Sequence, residues 1–230
     1  MAGSGRGRGL GISALVVGLS GLVLGIGTVG YANSAYGTGT LPSGSMSPTY
    51  TAGQRIVWEK TDGSQVRRGD VVVFSAPERY ASGGVVMQRV IGVGGDRVAC
   101  CTRLGSAERV TVNAEPLEEP YVSGGDADGL HRSYDVKVPR GRLFLLGDRR
   151  DDVVDSRFFA YDHGGTVPVD AVRGRVTNAR PVALVLGTAL LLAVVLVFTG
   201  VGLGIGFLVV RRRKAPPVPM APWPVSPMGS

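Results

Sequence analysis

The chain is 230 residues long, with 36 glycines, only 19% charged residues, a mean hydropathy of +0.18 and a formal net charge of +7. Its apolar excess is concentrated in two uncharged blocks, Leu10–Ala32 and Val182–Val210, which excludes a soluble cytoplasmic protein. All 18 acidic residues lie between Asn33 and Arg180 against 19 Lys and Arg, so the middle of the chain is nearly neutral and carries no electrostatic footprint for nucleic acid.

Met1–Gly9 reads as a short basic tail carrying Arg6 and Arg8. Leu10–Ala32 follows; at about 1.5 Å per residue its length is roughly 34 Å, enough to cross a hydrocarbon core of about 30 Å. The run outlasts the roughly 7–15 residues of a secretory h-region, so an uncleaved anchor is expected, although Ala32-Asn33-Ser34 would pass as a small-residue cleavage site. Gly21 with Gly25, and in the second block Gly200 with Gly204 and Gly202 with Gly206, stand at helix-packing spacing. They fit packing of the two spans or dimerisation, and equally a chain that is simply rich in glycine.

Asn33–Gly44 reads as a connector leading off the membrane. Overlapping its end, Pro42-Ser43-Gly44-Ser45-Met46-Ser47-Pro48-Thr49 sets a serine between Gly and Met just past a span. Glycine there allows close backbone approach and proline fixes the exit direction, which suits a nucleophile near the bilayer surface; a plain Ser/Gly/Pro connector would look similar. Strands are expected at Arg55–Trp58, Val71–Phe74, Val85–Val93, Arg109–Val112 and Arg142–Leu146, divided by turns at Asp62-Gly63, Arg68-Gly69-Asp70, Gly94-Gly95-Asp96, Asn113-Ala114 and Gly147-Asp148. Residues 33–180 therefore read as a mostly β domain folded as one irregular unit.

Cys100 and Cys101 are adjacent and cannot close an ordinary loop; two unpaired thiols are expected in preference to a vicinal or intermolecular disulfide. Ser123–Arg132 reads as a mobile polar loop. The second block has 29 residues and must tilt or overrun the membrane core. Arg211, Arg212, Arg213 and Lys214 follow it, and the proline-rich Ala215–Ser230 reads as a disordered extension. Basic residues at the outer ends of both blocks place both termini in the cytoplasm. The expected organisation is a tail at 1–9, a transmembrane helix at 10–32, an extracytoplasmic β domain at 33–180, a second transmembrane helix at 182–210 and a tail at 211–230.

Four further segments follow the serine stretch in order: Arg68–Phe74 (RGDVVVF), Arg89–Asp96 (RVIGVGGD), Gly147–Arg150 (GDRR) and Asp155–Arg157 (DSR). With the Ser-Met-x-Pro-Thr start, they resemble the type I signal peptidase family over roughly Pro42 to Val176, and the tail–span–β domain–span order is similar to actinobacterial members. The resemblance implies a membrane-bound serine endopeptidase that removes signal peptides from exported preproteins in the plasma membrane. It assigns Ser45 as nucleophile, Ser43 as a hydroxyl donor to the oxyanion hole, and Asp155, Arg157 and Asp148 as supporting residues, Asp155 and Arg157 forming a salt bridge. The substrate would lie as an added strand on a sheet edge with small side chains in shallow pockets. Signal peptides and the lipid bilayer are the expected partners, with no cofactor, no metal and no nucleic acid.

The resemblance also defines two departures. The family's catalytic Lys stands immediately before the Arg of RVIGVGGD, and here that position is Gln88. A desolvated neutral amine can take a serine proton; an amide oxygen accepts a hydrogen bond but has almost no basicity. The Ser that orients that Lys is replaced by Val153. Lys60, Lys137 and Lys214 lie outside the matching segments. His131 sits in the polar loop, and His163 follows Asp162; adjacent side chains ordinarily point apart, so His163 is expected to be a solvated loop histidine. The alternative to a working peptidase is a catalytically inactive homologue, a membrane-anchored peptide-binding module beside a functional paralogue.

Overall fold

A computed structural model describes residues 4–80, 86–105, 107–122, 125–130 and 132–213. His131, Lys214 and the tail 215–230 lie outside these residues, as do Ser123 and Gly124 of the expected loop. The chain divides into two units, a helical one and the segment Tyr31–Ala183.

Helix α1 spans Ser4–Ala35 and α2 spans Ala179–Arg213, each a few residues longer at both ends than its apolar block. Both are long and apolar enough to cross a bilayer, over Gly9–Ala35 and Ala179–Arg212. Val23, Ile26, Leu184 and Phe198 stand exposed around them, a surface that suits lipid and not water. The helices pack antiparallel, Gly11 meeting Phe207 and Gly25 meeting Ala193. Glycine sets their closest approach: a Cβ on Gly21 would lie 2.8 Å from the Ala193 carbonyl oxygen, and one on Gly200 would lie 2.6 Å from Gly18 Cα. The packing reading thus holds for Gly21 and Gly200, whereas a Cβ on Gly202 or Gly206 would meet nothing of the facing helix among the described residues.

In the second unit, β1 (Tyr36–Thr40), β2 (Arg55–Glu59), β3 (Val71–Phe74), β4 (Val86–Val93), β9 (Arg142–Leu146), β10 (Val167–Pro168) and β11 (Val172–Thr177) form one antiparallel sheet in the order β1-β2-β11-β3-β4-β9-β10. The second sheet has the order β7-β6-β5-β8, from β5 (Arg97–Leu104), β6 (Ala107–Val112), β7 (Glu115–Pro116) and β8 (Tyr134–Lys137). Both sheets lie within one compact unit, Tyr31–Ala183, as expected of a mostly β domain. The five expected strands are present within a residue or two, and β1 lies inside the stretch read as connector.

The apolar runs follow from burial on both faces. In β3, Val72 and Phe74 join one core cluster with Val90 and Leu145, while Val71 and Val73 join another with Leu41, Met46, Ile56 and Met87. In β9, Leu143 and Leu145 face the first cluster and Phe144 and Leu146 a third, shared with Ile91, Val98 and Val110. A strand covered on both sides loses the apolar–polar alternation of a half-exposed one.

Two expectations about loops are corrected. Cys100 and Cys101 are joined as a vicinal disulfide, not left as thiols. They sit where the β5–β6 register shifts between Ala99 and Thr102, so adjacent side chains need not point to opposite faces. Part of the stretch read as a mobile loop is anchored: Ala127 and Asp128 are buried, and Asp128 forms an ion pair with Arg157.

Candidate active site

Ser43 and Ser45 lie in the turn between β1 and β2. Ser47 N–H donates to Gly44 O (3.0 Å) and Tyr50 N–H to Met46 O (2.8 Å), while the Met46 side chain is fully buried in the cluster beneath. From the other side, Arg149 N–H donates to Ser45 O at 3.1 Å. Gly147 is needed beside it, since a Cβ there would lie 2.8 Å from Ser45 O and 2.7 Å from Val153 Cγ1. Ser43 Oγ donates to Ser45 Oγ at 3.2 Å.

A cavity of about 450 Å³ opens beside the two serines. The Ser45 turn, the β4 residues Val86, Met87 and Gln88, and Arg149, Asp152, Val153 and Val154 line it, with Tyr80 at its side. Gln88 pairs with Val72 in the β3–β4 register and is 1% exposed. Its Nε2 donates to the Tyr80 hydroxyl (3.2 Å) and to Val154 O (3.0 Å). Its Oε1 is buried and has no hydrogen-bond partner among the described residues. Burial pushes the Tyr80 phenol up to about 12, so it stays protonated near neutrality.

Behind the serine turn the chemistry is ionic. Asp155 accepts from Gly147 N–H at 3.2 Å and from Arg157 Nε and Nη2, both at 2.8 Å, and both side chains are fully buried. Arg157 also pairs with Asp128. Arg150 donates to Gly147 O (2.9 Å), Ala127 O (2.8 Å) and Glu119 (3.0 Å). Arg89, next to Gln88, donates to both oxygens of Asp148 (2.8 and 2.6 Å), and Thr49 from the serine turn donates to the same carboxylate. Asp148 therefore ties β4 to the Ser45 turn.

A family model described as "Signal peptidase, peptidase S26" matches residues 15–179, most of the chain. This chain belongs to that family. A signal peptidase I of Leptolyngbya laminosa is 33% identical over 142 residues, covering 59% of this chain and 64% of the relative. Signal peptidase IB of Staphylococcus aureus (strain COL) is 31% identical over 157 residues, covering 60% and 74%. A crystal structure of a signal peptidase I from Enterococcus faecalis V583 aligns at 26% identity and TM-score 0.37, covering 49% of this chain and 97% of that one. The chain spans between 58% and 64% of the length of the first curated relatives it matches.

Of the residues singled out in the sequence of this signal peptidase family member, Ser43, Ser45, Gln88 and Val153 line one cavity. Asp148, Asp155 and Arg157 stand behind it, and the expected Asp155–Arg157 salt bridge is present. His163 does not line the cavity. As expected of a loop histidine its ring is largely exposed, but it does address its neighbour: Nδ1 lies 2.6 Å from Asp162 Oδ1, with His163 in a left-handed backbone conformation (φ 50°). Arg79, and then His163, hold the Asp162 carboxyl down at about 2. The sequence reading missed Tyr80, Glu119 and Asp128. A buried Arg demands an acid, so Arg150 and Arg157 were the available signal, but composition does not say which acid answers.

Proposed function

We propose that this chain is a membrane-anchored serine endopeptidase that removes signal peptides from exported preproteins, with Ser45 as the nucleophile. The observation that carries this reading is the Ser43–Ser45 hydroxyl pair in a cavity of a signal peptidase family member, braced by Asp148 and Asp155. Ser45 Oγ adds to the scissile carbonyl carbon. Ser43 Oγ–H and the Ser45 backbone N–H donate to the oxyanion, a kind of contact worth about 3–4 kcal/mol per donor where it has been removed by mutation. Among the described residues the Ser45 N–H is left for this, since the turn is held through carbonyls and through Met46, and the Ser43 hydroxyl that donates to Ser45 Oγ turns to the oxyanion as it forms. Both termini are cytoplasmic and the β domain faces outward, in keeping with the basic residues at the outer end of each apolar block.

Gln88 supplies no basic nitrogen and Val153 no orienting hydroxyl, so turnover is slow compared with a peptidase that holds its own base. Those two residues favour one competing reading, a silent peptide-binding homologue. Purified protein in detergent is incubated with a preprotein bearing an Ala-x-Ala site, beside Ser45→Ala. Cleavage that disappears in the variant, with loss of labelling by a serine-directed covalent inhibitor, supports the peptidase. Binding without cleavage by folded protein supports the silent homologue. A reporter fused after Ser230 that reads outside the cytoplasm overturns the topology.

A further inference from the structure

Ser45 needs a proton acceptor, and the ionisable groups lining its cavity do not supply one. Arg149 is a permanent cation. The Asp152 carboxylate is 77% exposed and turned to Arg149 at 3.6 Å. Tyr80 remains a neutral phenol whose oxygen already accepts from Gln88. The second unmet need is on Gln88 itself. Its Nε2 is engaged on both Tyr80 and Val154, which leaves Oε1 facing no donor although the residue is 99% buried by its 1% exposure. A buried acceptor left without a donor is unfavourable, and native structures seldom tolerate one.

A single ligand class meets both needs. A neutral primary amine has N–H groups to donate to Oε1 and one lone pair to accept the serine proton. Water could make the same contacts, but its basicity is far too low to act as an effective base. The apolar lining of Leu41, Val86, Met87, Val153 and Val154 disfavours an ammonium ion, and the Arg149 charge disfavours it further, so the site selects the free base. Resting on Ser45 as nucleophile, we propose that this cavity is a subsite for a small primary aliphatic amine, held through Gln88 Oε1, which acts as the general base toward Ser45.

The step balances. As the Oγ–carbon bond forms, the carbonyl π pair moves to oxygen and the Ser45 proton passes to the amine nitrogen. The resulting ammonium returns that proton to the peptide nitrogen as the carbon–nitrogen bond breaks. In deacylation the amine takes a proton from the attacking water and gives it back to Oγ, leaving a free carboxyl product and an unchanged amine.

The test is preprotein cleavage by the full chain in detergent, at fixed pH and ionic strength, with rising methylamine or trimethylamine. Trimethylamine carries a lone pair of similar basicity but, as the free base, no N–H. The expected result is a saturable acceleration by methylamine of at least about tenfold, below the 10²–10⁴ typical of a positioned base, with none by trimethylamine. Gln88→Leu loses the methylamine response, and Ser45→Ala shows no cleavage with either amine. Equal acceleration by both amines overturns the subsite in favour of catalysis from bulk solution. A product ending in an N-methylamide overturns it too, because the amine then acts as a nucleophile. Ser45-dependent cleavage indifferent to amines overturns this inference alone, whereas absence of Ser45-dependent cleavage throughout overturns the peptidase reading with it.

Discussion

Two regions meet at Ser45, and they are built by opposite rules. Behind the serine turn, Asp155, Arg157, Asp128, Arg150, Glu119, Arg89 and Asp148 are buried and each charge is answered by another. In front of it, the cavity wall is formed by Gln88, with an acceptor that none of the described residues answers, and by Val153, whose side chain offers no polar atom. Buried ion pairs are poor evidence for net stability, since desolvation offsets much of their attraction, but they define one geometry sharply. The chain therefore maintains the means of holding a serine in place separately from the means of taking its proton.

The largest effect is expected on the ionic side. Asp155→Ala takes away one of the two carboxylates that answer the buried Arg157, leaving Asp128, and removes the acceptor for Gly147 N–H, so the domain should lose about 3–5 kcal/mol of unfolding free energy in a denaturant titration. A loss below about 1 kcal/mol, the range of an exposed pair, would dissolve the contrast between the regions. Next comes Ser45→Ala. Removing the nucleophile from a protease with its base in place costs about 10⁶ in turnover, and such losses are not additive. With the base position already Gln88, a smaller drop of about 10²–10³ in cleavage rate is expected.

The cavity side can be rebuilt to sharpen the comparison. Gln88→Lys alone should gain little, because Val153 offers the new amine nothing to orient it. Gln88→Lys with Val153→Ser should exceed the single variant by at least about tenfold in preprotein cleavage. Equal rates in the two would mean that Val153 is not the orienting position. The smallest effect concerns pH. The Tyr80 phenol, ordinarily near 10, is raised to about 12 by burial, so the folded state retains a proton that the unfolded chain releases. The stability it contributes is complete below about pH 10 and falls away as pH rises toward 12, a decline that Tyr80→Phe should flatten in a pH series of thermal melts.

Much of this was legible in the residues, and the failures have physical causes. Val71–Phe74 and Arg142–Leu146 were readable because strands buried on both faces give unbroken apolar runs. By contrast β5, RVACCTRL, alternates polar and small residues over a partly exposed face, and β1, YGTGT, carries almost no side-chain signal; its pairing with β2 gives it its identity. Ser45, Gln88 and Val153 were picked out by the resemblance to the signal peptidase family, and the fold brings them to one cavity. Asp128 was not, since a Gly-rich acidic stretch looks solvated until Arg157 is seen buried against it. The approach of His163 to Asp162 depends on a left-handed residue, and nothing in the sequence marks it.

The clamped amide of Gln88 also bears on ligand design. With Nε2 spent on Tyr80 and Val154, the amide presents a fixed polarity to anything entering from the Ser45 side. An inhibitor carrying an N–H or O–H toward Oε1 gains a contact that water-exposed competitors lack, while one presenting a carbonyl or carboxylate there meets acceptor against acceptor. A peptidase with a lysine amine at the same place has N–H groups for the carbonyl compound that Gln88 rejects, so a matched donor–acceptor pair of inhibitors could discriminate between the two kinds of site in a mixed membrane preparation.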